Sequence, residues 1–340
     1  MRRAGVSSAL GLAISAASLV AVVWWILRQP APELPESGLG FAWIGLALLT
    51  IACTLVLRGW RWHRVLALAG IPHRRRDAYG LTAVGYMGNN VLPARGGELL
   101  KIGLLGERTS ARRRELLGTV LADRALDAAV LAAVFAALTF AAVDGAPSGS
   151  AGAVAAAGAL AVAAAALALY RGLRRRGRLA RFSAAIRPVA RASRIFAGPQ
   201  GAPLAGVSLL IWLLEGVTFL AIARAVGVEL GVLPALAVVV LASLAAAVPA
   251  APGYVGTFDA ALLVGLRGAG VEGGDAVAVL VLCRFVLFVP VTIAGLATLL
   301  ACYGGLRLRR PPGDREELLA EETPRERRRE VATGQRSTGG

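Results

Sequence analysis

Twelve residues carry the chemistry of this chain, in two sets. The first is Asn89, Asn90, Arg95, Glu98, Asp123, Arg124 and Asp127; the second is Glu215, Gly253, Thr257, Asp259 and Arg284. Each set is built around a Pro/Gly corner that interrupts an apolar run. The corners are Asn89-Asn90-Val91-Leu92-Pro93-Ala94-Arg95-Gly96-Gly97-Glu98 and Ala247-Val248-Pro249-Ala250-Ala251-Pro252-Gly253-Tyr254-Val255-Gly256-Thr257-Phe258-Asp259. An acid stands just after each corner and an arginine on the long apolar stretch beyond: Arg124 lies 28 residues after Gly96, and Arg284 lies 28 after Gly256. Such groups suit recognition of an anion better than bond-making. A helix that restarts after a corner aims free N–H groups at its N-terminus, where a phosphate is attracted. Arg95 beside it adds a charged fork for phosphate oxygens.

A charge at the centre of a bilayer costs at least ~2.5 kcal/mol on insertion scales, so each of these residues needs a partner or a wet surrounding. Asp123 and Asp127, four apart, share one helix face, with Arg124 turned about 100° from Asp123. Two readings stand side by side. In one the charges pair structurally: Arg95 or Arg124 with Glu98, Arg284 with Asp259 or Glu215, the glycines serving tight hairpin packing. In the other they bind a substrate headgroup or a proton. The readings are compatible if pairs exchange partners.

The elements that position these residues are apolar helices. The chain has 340 residues, 56% of them hydrophobic, with a mean hydropathy of +0.65. Stretches of about 20 residues with few charges are long enough to span a bilayer. Full spans are expected at 6–27, 41–57, 116–143, 151–170, 204–226 and 275–303. Two broken units, 77–108 and 231–270, have second arms too short to cross. Paired, Pro/Gly-interrupted hydrophobic segments in corresponding halves mark transporter binding sites near the midplane. Irregular backbone at that depth must face protein or water, so both corners are expected at a cavity. The start, Met1-Arg2-Arg3 before an apolar run, is read as a span, since no small-residue cleavage site is convincing.

Net charge is +16, almost all arginine; Lys101 is the single lysine. The arginines cluster between spans and on the tail, which topology explains better than nucleic acid does. Arginine is dense at 58–76, 108–114, 171–194 and after 306, and sparse at 28–38, 144–150 and 270–275. If both broken units are re-entrant hairpins, every dense stretch falls on one side. The expected fold is therefore all-α: a polytopic helical bundle of about six full spans plus two re-entrant hairpins arranged as an inverted repeat, both termini cytoplasmic. Residues 1–305 form the membrane domain and 306–340 a charged, disordered tail. If instead the first arm crosses fully, Arg74–Arg76 or Arg112–Arg114 lies outside, which the charge rule disfavours. Cys53, Cys283 and Cys302 read as small buried hydrophobes, without disulfide or metal spacing.

The pattern Asn-Asn-x-Leu-Pro-x-Arg-x-Gly-Glu with Asp-Arg, then Pro-Gly-x-x-Gly-Thr-x-Asp with Arg, resembles the flippase-like transmembrane domain family. This is the membrane half of lysylphosphatidylglycerol synthases, found also as stand-alone proteins. The matching positions are Asn89, Asn90, Leu92, Pro93, Arg95, Gly97, Glu98, Asp123 and Arg124, then Pro252, Gly253, Gly256, Thr257, Asp259 and Arg284. Asp123 and Asp259 stand where the family often has Glu. The resemblance covers roughly Val6 to Tyr303. It implies movement of a lipid headgroup between the leaflets of the cell membrane, with membrane lipids as partners and an envelope glycosyltransferase or lipid-modifying enzyme as a further partner. The alternative is a non-transporting scaffold or regulator of envelope glycolipid assembly. Bifunctional relatives continue into a soluble aminoacyl-transferase; residues 306–340 offer no room for one, so no enzyme is expected. No cofactor or metal is expected either: His63 and His73 are the only histidines and no nucleotide-binding motif is present.

Overall fold

The computed structural model describes residues 37–92, 95–144, 198–246 and 252–304, together with Trp24, Arg28 and Phe196; beyond residue 138, the side chains of the helix ending at 144 are not described. The span expected at 6–27 apart from Trp24, the span expected at 151–170, residues 171–195 and 197, Pro93, Pro249 and the tail lie outside the described residues. The chain divides into units Met1–Leu300 and Ala301–Gly340. Of the second, Ala301–Tyr303 are helical.

Among the described residues all regular structure is helical. Helix α1 spans Gly38–Leu68, α2 Arg75–Val91, α3 Gly96–Gly106 and α4 Arg113–Asp144. Helix α5 spans Gly201–Ala225, α6 Val232–Ala246, α7 Thr257–Gly268 and α8 Gly273–Tyr303, with a 3-10 turn at Pro252–Tyr254 before α7. Two series of matching lengths result: 31, 17, 11 and 32 residues for α1–α4, then 25, 15, 12 and 31 for α5–α8. Among the described residues three helices, α1, α5 and α8, are long and apolar enough to cross a membrane. Helices α2 and α3 pack as one hairpin and α6 and α7 as another, while α1 and α5, leading the two series, pack along each other.

Local sequence explains these elements. Ser37 caps α1, its hydroxyl accepting from Gly40 N at 3.0 Å. The span expected at 41–57 does not stop at Arg58. Helix α1 continues to Leu68, with Thr50, Thr54, Arg58, Arg61, Trp62 and Val65 on its buried face. That spacing of three and four is an inward stripe that happens to include two arginines. The basic segment that begins at Arg58, expected to lie between spans, is thus partly interior. Of the cysteines, Cys283 alone is buried; Cys53 and Cys302 are exposed, as suits apolar side chains on a lipid-facing surface.

The corners form where the backbone leaves the right-handed helical region. Leu92 is extended, and Arg95 holds left-handed angles (φ 58°, ψ 39°) at the N-cap of α3. In the second corner Gly253 has φ 62°, Tyr254 φ 54° and Gly256, the N-cap of α7, φ 87°. A positive φ strains non-glycine residues, which accounts for glycine at 253 and 256 but makes Arg95 and Tyr254 exceptions. Such exceptions concentrate at functional sites. The arms of the first hairpin close on glycine: a Cβ on Gly97 would overlap Gly85 O and Asn89 N. At the hairpin's open end Arg108 Nη1 donates to Asp77 Oδ1 at 2.9 Å.

The interior differs between halves. The main apolar core is drawn chiefly from α5–α8, including Phe219, Ile222, Leu262, Leu266 and Val286. Where α1, α4 and α5 meet, the centre is ionic.

Gly97→Ala should lower the unfolding midpoint of the purified protein, with an overpacking cost of ~1–3 kcal/mol. Gly103→Ala, where a Cβ meets nothing within 4 Å, should leave it unchanged or raise it. Thermal unfolding in detergent compares the two; equal midpoints would remove the case for glycine-dependent hairpin packing.

Candidate functional site

Arg61 has no exposed surface. Its Nε donates to Asp123 Oδ1 at 2.8 Å, its Nη2 to Asp127 Oδ2 at 2.8 Å, and its Nη1 to Ser208 Oγ at 2.6 Å. Arg58, one turn earlier, pairs with Glu215 and stands 3.4 Å from Asp127. Helix α1 thereby supplies two cations to two carboxylates of α4 and one of α5. In a low-dielectric interior a carboxylate is retained only when a cation and hydrogen bonds compensate its desolvation, and this arrangement meets that condition. Arg58 and Arg61 were not among the expected site residues. The signal was available: Asp123 and Asp127 stack on one face with Arg124 alone nearby in sequence, and two further cations one turn apart were needed.

Arg124 is less buried, its side chain 28% exposed. It reaches Asp123 at 3.0 Å, Asp127 at 3.5 Å and Glu98 at 3.8 Å. Each of those acids has a second cation: Arg61 for both aspartates, and Lys101 Nζ, 3.5 Å away, for Glu98. Lys101 is itself buried, over the ring of Trp62 at 3.9 Å.

The second half repeats the geometry with a different outcome. Asp259 and Glu98 each occupy the third position of the helix that follows their corner. Asp259 Oδ2 accepts from Gly256 N at 2.9 Å, capping α7, and its Oδ1 accepts from Arg284 Nε at 2.6 Å. Arg284 Nη1 donates to Gly253 O at 2.6 Å, and Thr257 Oγ1 to Tyr254 O at 3.3 Å. The guanidinium stacks on Phe288 at 4.4 Å and Phe258 at 5.1 Å. Arg284 pairs with Asp259, not Glu215.

The two corners meet. Arg95 Nη2 donates to Ala246 O at 2.5 Å, and its guanidinium lies 5.5 Å from the ring of Tyr254. The pairing of Arg95 with Glu98 does not occur. A Cβ on Gly253 would stand 3.3 Å from Asn90 O. Asn90 Nδ2 also donates to Thr292 Oγ1 at 2.9 Å, tying α2 to α8.

At this junction lies a cavity of about 190 Å³. Six of the expected site residues line it: Asn89, Asn90, Arg95, Glu98, Arg124 and Glu215. Asp123 and Asp127 stand behind them, held by Arg61. Gly253, Thr257, Asp259 and Arg284 shape the second corner and do not line the cavity, whose wall there is Tyr254, Phe258 and Phe288. Arg284 does not line the cavity as Arg124 does: Phe258 and Phe288, on which it stacks, form the wall there. Sequence reasoning also missed Tyr86 and Trp212, which line the cavity and stack on Arg58 at 5.4 Å each. Among the described residues no cluster of three metal-ligating side chains occurs.

Replacing Arg61 by Gln leaves Asp123 without a fully buried partner, a change of ~3–5 kcal/mol for a broken buried pair. Arg61→Gln should therefore accumulate as aggregated or degraded protein. Arg124→Gln, whose acids keep other cations, should remain monodisperse with a midpoint near that of the parent. Size-exclusion profiles and thermal unfolding decide; equal damage from both would refute the redundancy of Arg124.

No curated protein and no solved structure matches the chain. The family model described as lysylphosphatidylglycerol synthase TM region matches residues 8–295. It covers α1–α7, the greater part of α8 and both corners, so the chain is an integral membrane protein and belongs to the family of the lysylphosphatidylglycerol synthase TM region.

Proposed function

We propose that this protein is a flippase-like lipid transporter of the cell membrane, moving an anionic phospholipid or polyprenyl- or glycolipid headgroup between leaflets without covalent chemistry. The observation that carries this reading is a charge-lined cavity where two broken hairpins meet inside an otherwise apolar bundle. An ion network serving stability alone has no use for a cavity, because voids in close-packed interiors are destabilising. Arg124 has the properties of a mobile contact. It borders the cavity, it is more exposed than Arg58 and Arg61, and its carboxylates keep other cations. Turning it toward a phosphate while Glu98 stays with Lys101 provides a polar path for a headgroup as the acyl chains remain in lipid.

The same reading includes the topology: six full spans, the α2–α3 hairpin re-entering from the cytoplasmic face, the α6–α7 hairpin from the outer face, and both termini cytoplasmic. Its supports are arginine density at 74–76 and 108–114 against Glu272 and Asp275 beside the second hairpin. Lipids are the partners this reading requires; an envelope glycosyltransferase or lipid-modifying enzyme would supply the headgroup or use it.

Two outcomes are expected. In vesicles containing the reconstituted protein, leaflet-resolved assays should detect saturable transfer of an anionic lipid, abolished by Arg124→Gln without loss of incorporation. Normal transfer by that variant would rule Arg124 out as a substrate contact, and no transfer of any lipid would favour a scaffolding role. In a cysteine-free background, Ser110→Cys should resist an impermeant thiol reagent applied to intact cells while Glu272→Cys reacts; both positions are exposed. The reverse pattern would invert the topology.

A further inference from the structure

Buried polar atoms in native interiors are nearly always hydrogen-bonded, so a concentration of exceptions needs a cause. Among the described residues six buried side-chain polar atoms make no hydrogen bond of good geometry: Asn89 Oδ1, Arg95 Nε, Glu98 Oε2, Arg124 Nε, Trp212 Nε1 and Arg284 Nη2; of these, Glu98 Oε2 stands 3.5 Å from Lys101 Nζ and Arg284 Nη2 2.5 Å from Asp259 Oδ1 as ion pairs. The first five belong to residues that line the one cavity at the corners. Three are N–H donors and two are oxygen acceptors. Their natural complement is a group with anionic oxygens for the donors and hydroxyls for the acceptors.

Charge narrows the complement further. The network around the cavity holds five cations, Arg58, Arg61, Arg95, Lys101 and Arg124, and four carboxylates, Glu98, Asp123, Asp127 and Glu215. Every carboxylate lies within ion-pair distance of at least one of the four cations other than Arg95. Arg95 has a backbone carbonyl and an aromatic ring for company and, among the described residues, no carboxylate within ion-pair distance. One positive charge is thus left over at the cavity wall, in surroundings that penalise an uncompensated charge.

We propose that the cavity selects a polyol phosphodiester headgroup bearing one negative charge, such as a glycerol or sugar joined through phosphate to the lipid, with Arg95 as the charge-selecting contact. The inference rests on the transport reading for its lipid but not for its site. The phosphodiester takes the Arg95, Arg124 and Trp212 donors, and the polyol hydroxyls donate to Asn89 Oδ1 and Glu98 Oε2. A diphosphate would bring more negative charge than one cation balances. A zwitterionic headgroup would leave Arg95 in excess and set its ammonium against the neighbouring cations. A phosphate monoester has the right atoms but a second ionisation near neutrality.

Two sets of probes separate the headgroup from the whole lipid. With the full-length protein in detergent, isothermal titration uses soluble glycerophosphoglycerol, glycerophosphoethanolamine and inorganic diphosphate. With vesicles, the leaflet assay compares phosphatidylglycerol, phosphatidylethanolamine and a polyprenyl diphosphate. The expected result is saturable binding of glycerophosphoglycerol, on the order of tenfold weaker for the other two probes, as loss of one charged hydrogen bond gives. Arg95→Gln should weaken glycerophosphoglycerol by a similar factor and erase the preference. Arg95→Lys should keep the charge preference at reduced affinity. Trp212→Phe, which removes a donor and keeps the ring, should weaken all phosphate probes modestly. Equal affinity for the zwitterion, tighter binding of diphosphate, or no saturable binding, the last meaning that water alone satisfies these atoms, would each overturn the proposal. Arg95-dependent binding of glycerophosphoglycerol with no lipid moved would sink the transport reading and leave this site standing. Equal transfer of all three lipids would do the opposite.

Discussion

The rest of the structure depends on keeping Arg61 charged and satisfied where no water reaches it. Its guanidinium meets two carboxylates and a serine hydroxyl, so α1, α4 and α5 cannot separate without exposing an uncompensated charge to a low-dielectric interior. Lipid tails are as apolar as leucine side chains, and hydrophobic burial gives helices in a bilayer little reason to associate. Ionic cross-links of known geometry then specify which helix faces which. Where α1, α4 and α5 meet, the ion network takes that part. In the second half, close packing of Val, Leu and Phe does. Buried ionic groups are better attested as devices of specificity than of net stability, and here they also set the register of α1 against α4.

That fixed frame makes the difference between the two corners informative. Both place an acid at the third position of a short helix and an arginine on the next long one. In the second corner the acid also caps its own helix, and the arginine bonds the corner's backbone. Arg284 Nε and Nη1 donate there and its Nη2 stands against Asp259 Oδ1, so Asp259 and Arg284 hold the turn shut. In the first corner Glu98 makes no such cap. Its helix starts from a left-handed Arg95 whose side chain reaches across to α6. One corner is thus consumed by structure and the other keeps unspent hydrogen-bonding capacity in residues that line a cavity. Positive φ at a non-glycine residue, a strained choice, persists at 95 because Ala246 O and the Tyr254 ring hold the side chain from the opposite half.

How legible this was in the sequence varied with the kind of signal. The corners, the acids after them and the two arginines beyond were readable because Pro and Gly interrupt apolar runs at equal spacing. The α2–α3 and α6–α7 hairpins follow from that. The reach of α1 past Leu57 was not readable from charge, since a cluster of arginine and tryptophan after an apolar run is the usual mark of a membrane interface. Helical spacing of Thr50, Thr54, Arg58, Arg61, Trp62 and Val65 carried the contrary signal, and it outweighs composition once Asp123 and Asp127 are recognised as needing partners. Which of two matching arginines faces the cavity was not in the sequence at all. It depends on where Phe258 and Phe288 pack, a tertiary fact.

The same comparison explains why a repeat of this kind need not be used symmetrically. A transporter that alternates between two faces has to change some contacts and keep others. A contact can change cheaply only if its loss strands no buried charge. Arg284 fails that test, since Asp259 has no other cation within ion-pair distance among the described residues. Arg124 passes it, because Arg61 and Lys101 remain with its carboxylates. Arg95 passes it more easily, having only a carbonyl and a ring to leave. On the transport reading, electrostatics confines mobility in the site to the first corner, with the second corner as the surface against which it moves.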